Sequence, residues 1–154
     1  MKIELQPVAT VTNTRSEIAD DDWGSVISEI IIDERFPEEA LDGIESFSHL
    51  EVIFFFDKVK DSDINTSARH PRNNTAWPKA GIFAQRGKNR PNKLGLCTAK
   101  LLSRTGRKLK VQGLDAIDGT PVLDIKPVMK EFLPREDIRQ PQWSSELMKD
   151  YWKK

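Results

Sequence analysis

The sequence predicts a mainly all-β fold, a barrel or a sandwich, for two reasons. Many short segments are rich in β-branched and aromatic residues, and helical patterns are few and do not alternate with them. The length of 154 residues suits one domain of this kind. The predicted strands cover residues 2–13, 25–33, 49–59, 80–85, 94–103, 107–113 and 121–126.

The strand predictions rest on local patterns and on turn residues. Residues 2–13 and 25–33 are rich in β-branched side chains and bounded by polar clusters, which is typical of strands. Residues 49–59 (HLEVIFFFDKV) have a continuous apolar centre, which predicts a strand that is fully buried. Gly106 predicts a hairpin turn between two of the strands, because glycine tolerates the positive φ that such turns demand.

Helix is expected in only two places. Residues 37–43 (PEEALDG) begin with proline and two glutamates and end with glycine, the order that favours a short helix. The second is a tail of residues 134–154 that follows a domain of residues 1–133 and is helical at 144–152. Its predicted N-cap is Ser144, set inside a hydrophobic staple.

Composition excludes several classes of protein. The longest uninterrupted apolar run is residues 52–56, too short to span a bilayer, and the first residues lack the apolar stretch of a secretory signal. Cys97 is the single cysteine and there are two histidines, which argues against a disulfide framework and against a metal site. We therefore expect a cytoplasmic protein with no membrane and no metal partner.

Charge is divided unevenly along a chain whose formal net charge is zero. Residues 1–63 hold 5 basic and 16 acidic side chains, whereas residues 64–114 hold 12 basic ones and no carboxylate. Two interpretations remain open. The basic residues neutralise acidic neighbours across the fold, or they form a positive face for the phosphates of a nucleic acid.

Three segments hold the residues best suited to chemistry. Residues 69–74 (RHPRNN) place two arginines in a long polar loop, and residues 83–96 place four cations among glycines and a proline. Residues 113–127 contain Asp115 and Asp118, the latter in a sequence typical of a turn. No glycine-rich dinucleotide fingerprint or P-loop is present, so neither kind of nucleotide site is predicted.

Four stretches in this order resemble the TsaA-like family, also called TrmO, YaeB or VirR-like. The resemblance covers about residues 41–127, and its most specific parts are an RPN-x-x-G element and the sequence DGTPVLDIKP. It implies an S-adenosyl-L-methionine-dependent methyltransferase built on a single β-barrel and working as a homodimer on tRNA. The family's best-known activity methylates the exocyclic amine of threonylcarbamoyladenosine beside the anticodon. The four stretches are GIESFSHLEVIFFF (43–56), HPR (70–72), GIFAQRGKNRPNKLGL (81–96) and LDAIDGTPVLDIKP (114–127).

The resemblance also implies which residues hold the cofactor. The family's Pro-Arg-Gln segment corresponds to residues 21–24 here, which places Trp23 and Gly24 at the cofactor through different contacts. The other cofactor-binding positions carried over are Phe56, Asp57, Arg86, Leu96, Gln112, Gly113, Leu114 and Asp115.

The remaining roles follow from the chemistry that this activity needs. A carboxylate near the acceptor amine would take its proton, and the candidates are Asp115 and Asp118. Basic and amide side chains would meet the anticodon-loop phosphates, namely Arg69, Arg72, Lys88, Arg90, Asn92 and Lys93. Two alternatives stay open, a cofactor-binding or RNA-binding barrel without this activity and a methyltransferase for a small-molecule acceptor.

Overall fold

Six antiparallel strands close into a barrel in the computed structural model, which describes residues 1–154. The chain's eight strands are β1 (Ala9–Thr12), β2 (Ile27–Ile32), β3 (His49–Phe55), β4 (Ala68–Arg69), β5 (Ala80–Gly81), β6 (Leu94–Thr105), β7 (Lys108–Gln112) and β8 (Pro121–Pro127). Around the barrel the order is β1, β2, β7, β6, β3, β8, while β4 and β5 form a separate two-stranded ribbon. The predicted all-β barrel is therefore confirmed.

Helical structure is confined to single 3₁₀ turns and one α-helix, α1 (Gln142–Leu147). The short helix predicted at residues 37–43 is present as a 3₁₀ turn that begins directly after Pro37. No helix has the length and apolar character needed to cross a bilayer. The 3₁₀ turns are Glu38–Leu41, Ile44–Ser46, Asp61–Asp63, Pro71–Asn73, Ile82–Ala84 and Lys130–Phe132.

The barrel core is filled by alternate residues of each strand. On β3, Leu50, Val52 and Phe54 point inward and are fully buried, while their neighbours are half-buried on the outer face. The prediction of a strand buried on both faces is therefore wrong for β3, because an antiparallel barrel strand has only one face in the core. This strand also ends at Phe55, four residues earlier than predicted.

The ring of Phe54 lies directly over the backbone of Gly95 on β6. A Cβ added at Gly95 would lie 2.3 Å from Cε2 of that ring, so glycine is needed there for the ring to pack. The ring also makes an edge-to-face contact with Phe56, with 5.2 Å between centroids. This aromatic pair fills the end of the barrel where β6 begins.

The hairpin between β6 and β7 turns at Gly106, which has a φ of +57°, as predicted. The two strands pair from the turn, where Thr105 is opposite Lys108, only as far as Lys100, which is opposite Gln112. At Gly113, with a φ of +76°, the chain leaves β7 and turns away. As a result β6 is twelve residues long but is paired with β7 along only one half.

Two predicted strands are much shorter than expected. The first is limited to Ala9–Thr12 instead of residues 2–13, since residues 1–7 are exposed and pair with no other strand. Residues 80–85 supply only Ala80–Gly81, which pairs with β4, and a 3₁₀ turn follows. The backbone turns at Ile82–Ala84, which buries Ile82, leaves Phe83 81% exposed and ends the pairing with β4.

The tail folds differently from the prediction. Helix α1 begins at Gln142 after Pro141, two residues before the expected start, and ends at Leu147 rather than at 152. Proline favours the position before a helix because its φ is fixed and it lacks an N–H donor. Ser144 is therefore inside the first turn, where its hydroxyl donates to the Pro141 carbonyl, and it is not the N-cap.

Candidate functional site

The first half of β6 has an edge that no strand covers. The Leu101 N–H donates to the Ser48 carbonyl. In this antiparallel register the odd-numbered residues of β6 therefore make their backbone hydrogen bonds to β3. Leu96 and Thr98 consequently direct their backbone groups to the opposite side, where pairing with β7 begins only at Lys100. We call residues 94–99 with this uncovered side the open edge. Apart from the Leu96 carbonyl, the backbone groups on this side accept or donate no hydrogen bond to another strand and are available to a ligand.

Arg86 lies at the middle of the open edge. Its Nη2 donates to the carbonyl of Leu96 at 2.6 Å, which holds a guanidinium beside the strand. The side chain is exposed and contacts no carboxylate, so its charge is not neutralised by the protein. A guanidinium in this state matches the planar geometry of a carboxylate or phosphate.

Asp115 reaches the same region from the segment that leaves β7. The Cys97 thiol donates to the Gly113 carbonyl at 3.3 Å, which places this segment beside the start of β6. The Tyr151 hydroxyl donates to Asp115 Oδ2 at 2.6 Å, while Oδ1 is buried and has no hydrogen-bond partner. A buried acceptor left without a partner costs roughly 1–3 kcal/mol. Asp115 Oδ1 therefore has an acceptor position, shielded from solvent, that the hydrogen bonds of the chain leave unused.

The thiol and the phenol next to Asp115 are both held in their neutral forms. Burial raises the pKa of the Cys97 thiol, and the negative charge of Asp115 raises it further. The same two causes raise the pKa of the Tyr151 hydroxyl. Cys97 is thus not a nucleophile at neutral pH, because the reactive form of cysteine is the thiolate.

The raised pKa values predict a loss of stability in alkali. Both folded-state pKa values exceed those of the unfolded chain, so the associated stability is complete below about pH 9 and is lost as the pH rises further. We expect the free energy of unfolding to fall between about pH 9 and pH 11 in urea titrations.

Cys97 should also resist alkylation by iodoacetamide at about pH 8.5 until urea unfolds the chain. Equal alkylation rates with and without urea would contradict this.

A shallow, open depression of about 410 Å³ lies at the far end of the open edge, on the outside of the barrel. Strand register places His49, Lys100 and Gln112 side by side across β3, β6 and β7 beneath it. Its volume is within the range of small-ligand pockets. The depression is lined by Gly24, His49, Thr98, Lys100, Gln112, Gly113, Trp152 and Lys154.

Two of the predicted cofactor residues lie at the opposite end of the open edge. The Phe56 N–H donates to the carbonyl of Lys93, immediately before β6, and Asp57 is exposed and paired with Lys58. Five strand residues of about 3.3 Å each separate Lys93 from Thr98, or roughly 17 Å. Phe56 and Asp57 therefore do not line the depression, and a ligand that touched both would have to extend along the edge.

Two further predicted cofactor residues, Trp23 and Leu114, have buried side chains, so a ligand could contact only their backbone atoms. Trp23 is buried, with the Arg15 guanidinium 3.7 Å from its ring centroid, and its N–H donates to the Tyr151 carbonyl. Leu114 is fully buried in the core. Gly24, in contrast, lines the depression, and its carbonyl accepts a hydrogen bond from the Gln112 side chain at 2.9 Å.

The structure gives Asp118 a role in a turn. Its Oδ1 accepts a hydrogen bond from the Asn13 N–H at 3.0 Å, and its own N–H donates to the Arg15 carbonyl. The side chain is exposed, and Gly119 follows with a φ of +81°. Of the two candidate carboxylates, only Asp115 has a free oxygen buried beside the open edge.

Of the 12 basic side chains in residues 64–114, some are paired with carboxylates and others are not. Five cations of residues 64–114 contact carboxylates of residues 1–63, so internal neutralisation accounts for part of the charge division. These five are Arg72, Lys93, Arg104, Arg107 and Lys108. The other seven contact no carboxylate within 4 Å; they are Arg69, Lys79, Arg86, Lys88, Arg90, Lys100 and Lys110. Among the predicted RNA-binding cations, Arg69, Lys88 and Arg90 are thus free, whereas Arg72 and Lys93 have internal partners.

Sequence reasoning missed the two aromatic residues of the tail that contact the site, Tyr151 and Trp152. They lie on turns after α1, outside any regular pattern. The adjacent Tyr-Trp pair near a polar terminus was the only signal available.

The barrel thus has an uncovered strand edge beside a surface depression, a place where a small ligand can be held. The chain belongs to the tRNA-methyltransferase O N-terminal domain family, whose pattern matches residues 19–132. A crystal structure of TrmO from Pseudomonas aeruginosa superposes with a TM-score of 0.75 at 26% identity, covering 93% of this chain and 62% of that one.

Two relatives differ in how much of their length is shared. A Methanothermobacter thermautotrophicus protein, named as a probable S-adenosyl-L-methionine-binding protein, is 39% identical over 137 residues, which are 85% of this chain and 93% of the relative. The human tRNA (adenine(37)-N6)-methyltransferase is 40% identical over 105 residues. Those residues are 68% of this chain but only 23% of the human protein. The chain therefore spans less than a quarter of the human relative's length.

Proposed function

We propose that this protein is an S-adenosyl-L-methionine-dependent methyltransferase that acts on the exocyclic amine of an adenosine in tRNA. The observation that carries the proposal is the convergence of Arg86, Gly113 and Asp115 on the open edge of β6. Membership of the family and the names of the relatives support it. The finer proposal is that the adenosine is threonylcarbamoyladenosine beside the anticodon.

The donor set of the site fits the proposed cofactor. S-adenosyl-L-methionine has a carboxylate, which suits the unneutralised guanidinium of Arg86. Its adenine has donors and acceptors along one edge, which suit the N–H groups of Leu96 and Thr98 on the open edge. The depression beside Gly24 and Gln112 is large enough for one end of the molecule.

Within such a complex the chain's residues chiefly position the reactants. When bound, S-adenosyl-L-methionine supplies a methyl group on a positively charged sulfur atom. The strand backbone and Arg86 hold it in one orientation, and a fixed geometry between donor and acceptor lowers the barrier of a displacement reaction. Asp115 Oδ1 accepts the proton that leaves the adenosine amine as its bond to the methyl group forms.

The proposed RNA-binding face comprises the free cations Arg69, Lys88 and Arg90, with Asn92 beside them. Arg69 and Gly87 are close, since a Cβ at Gly87 would lie 3.6 Å from Arg69 Nη2. Arg90 Nη1 donates to the Gln85 carbonyl, which orders the turn that displays these charges. Unneutralised cations on an ordered turn and on the neighbouring strand β4 are suited to phosphates.

Removing two of these charges should reduce the salt dependence of tRNA binding. We expect the double variant Lys88→Ala/Arg90→Ala to lower the slope of log K against log salt by about 1.4–1.8, since each phosphate contact contributes about 0.7–0.9. Filter binding at several salt concentrations measures the slope. The matched control is Arg107→Ala/Lys108→Ala, which removes the same charge from internally paired positions. An equal loss of slope in both double variants would remove this face from the proposal.

We also propose that two copies associate in the cytoplasm. Large apolar side chains are exposed at Leu94 and Leu96, on the outer face of β6, and at Phe83, in the 3₁₀ turn Ile82–Ala84. Apolar side chains gathered on one face are typical of interaction surfaces.

Transfer of a labelled methyl group into bulk tRNA tests the proposed activity. The expected result is incorporation into tRNA, with nucleoside mass spectrometry locating the label on threonylcarbamoyladenosine. Incorporation into a small-molecule fraction instead would favour a small-molecule acceptor. Binding of S-adenosylhomocysteine, with no methyl transfer to tRNA or to a small molecule, would favour a cofactor-binding barrel without this activity.

A further inference from the structure

The C-terminal segment Asp150–Lys154 lies outside the residues matched by the family and closes one side of the depression. The N–H groups of residues 22–24 donate to the carbonyls of Asp150, Tyr151 and Lys153, at distances of 2.8–3.2 Å. Three consecutive backbone donors are thus satisfied by this segment. Such bonds hold it against the barrel as a fixed wall.

The fit of the segment depends on the absence of a side chain at Gly24. A Cβ there would lie 2.0 Å from the carbonyl oxygen of Trp152, closer than real atoms approach. The Tyr151 hydroxyl adds a side-chain anchor through its hydrogen bond to Asp115. The segment is therefore attached on both sides of the Trp152 side chain.

The indole of Trp152 is placed between the anchored backbone and the depression. It lies edge-to-face against Tyr151, with 4.9 Å between ring centroids, and a Cβ at Gly113 would be 3.9 Å from its Cζ3. The residue is nevertheless 46% exposed and lines the depression. An aromatic ring that is held in place yet remains half open is suited to stacking on a planar base.

We propose that Trp152 is a ligand-binding residue whose indole forms the wall on which a purine base packs. This inference rests on the proposed function, in which two purines are bound, the cofactor's adenine and the acceptor adenosine. Base–aromatic stacking tolerates either, and its removal weakens binding roughly 5- to 150-fold.

Calorimetry on the full chain tests the inference with two ligands, S-adenosylhomocysteine and an anticodon stem-loop RNA. The variant Trp152→Ala should weaken the binding of one of them about tenfold or more, and the ligand affected identifies the purine. Trp152→Phe should restore most of the affinity, because it keeps an aromatic face. Trp143→Ala, which removes a tryptophan of α1 that does not line the depression, should bind as the wild type does.

Thermal unfolding checks that each variant is folded, and Trp152→Leu, which keeps apolar bulk, takes the place of Trp152→Ala should the latter unfold. Unchanged affinity for both ligands in Trp152→Ala, or in Trp152→Leu where it replaces that variant, with a wild type that binds and methylates, would overturn this inference alone. Tighter binding by the variants would also overturn it, because the segment would then obstruct the site. A wild type that binds neither ligand would remove the proposed function together with this inference.

Discussion

Replacing Asp115 by asparagine is expected to slow methyl transfer to tRNA by about 10²–10⁴-fold. Asparagine keeps the shape of the side chain and still offers an oxygen to the Tyr151 hydroxyl. Its second polar atom is an NH₂ group, which cannot accept a proton from the acceptor amine. The Oδ1 atom of Asp115 is buried beside the open edge without a hydrogen-bond partner, and the variant removes its capacity to take up a proton.

Single-turnover assays with saturating cofactor measure this loss, and calorimetry with S-adenosylhomocysteine shows whether binding survives. The same substitution at Asp118 is the matched control, because that carboxylate bonds to Asn13 in an exposed turn. We expect Asp118→Asn to lower stability by about 1 kcal/mol and to leave the transfer rate within a few-fold. Equal rates for the two variants would exclude Asp115 as the proton acceptor.

Replacing Phe54 by alanine is expected to lower the free energy of unfolding by about 3–5 kcal/mol. The ring is 1% exposed, packs edge-to-face on Phe56 and lies over the bare backbone of Gly95. Gly95 has no side chain with which to fill the space, so a cavity should remain after the truncation. A domain of this size has a total stability of roughly 5–15 kcal/mol, so the loss is a large part of it.

Urea unfolding followed by circular dichroism measures the change. Phe55→Ala is the matched control, since this neighbour removes the same ring from the outer face of β3, where it is half-buried. We expect the control to lose less than half as much stability. Similar losses for the two variants would contradict the inward and outward assignment of β3.

Much of the fold was predictable because its signals are local. The apolar run around Val52, which predicts a strand, and the glycine of the hairpin at Gly106 are both visible in the sequence, and the structure has a strand and a hairpin there. The segment at residues 80–85 was not predictable in this way. Its apolar residues match a strand, but only Ala80–Gly81 pair, with the two-residue strand β4, and Ile82 begins a 3₁₀ turn that buries its side chain.

The site was predictable only in part, because several of its features arise from tertiary contacts. Resemblance led to Arg86 and Asp115, and the structure places both beside β6. Pattern alone could not separate Lys93, which pairs with Asp61, from Lys88, which has no such partner. The contribution of Tyr151 was hidden for the same reason, since its bond to Asp115 joins positions 36 residues apart.

The pairing of acidic and basic regions also bears on how the chain folds. Barrel closure requires contacts between distant residues, which makes the search for the folded state slow. Before folding, the first 63 residues and the 51 that follow them carry opposite charges and attract each other. That attraction is screened beyond about 10 Å at 0.1 M salt, so the refolding rate should rise as salt is lowered.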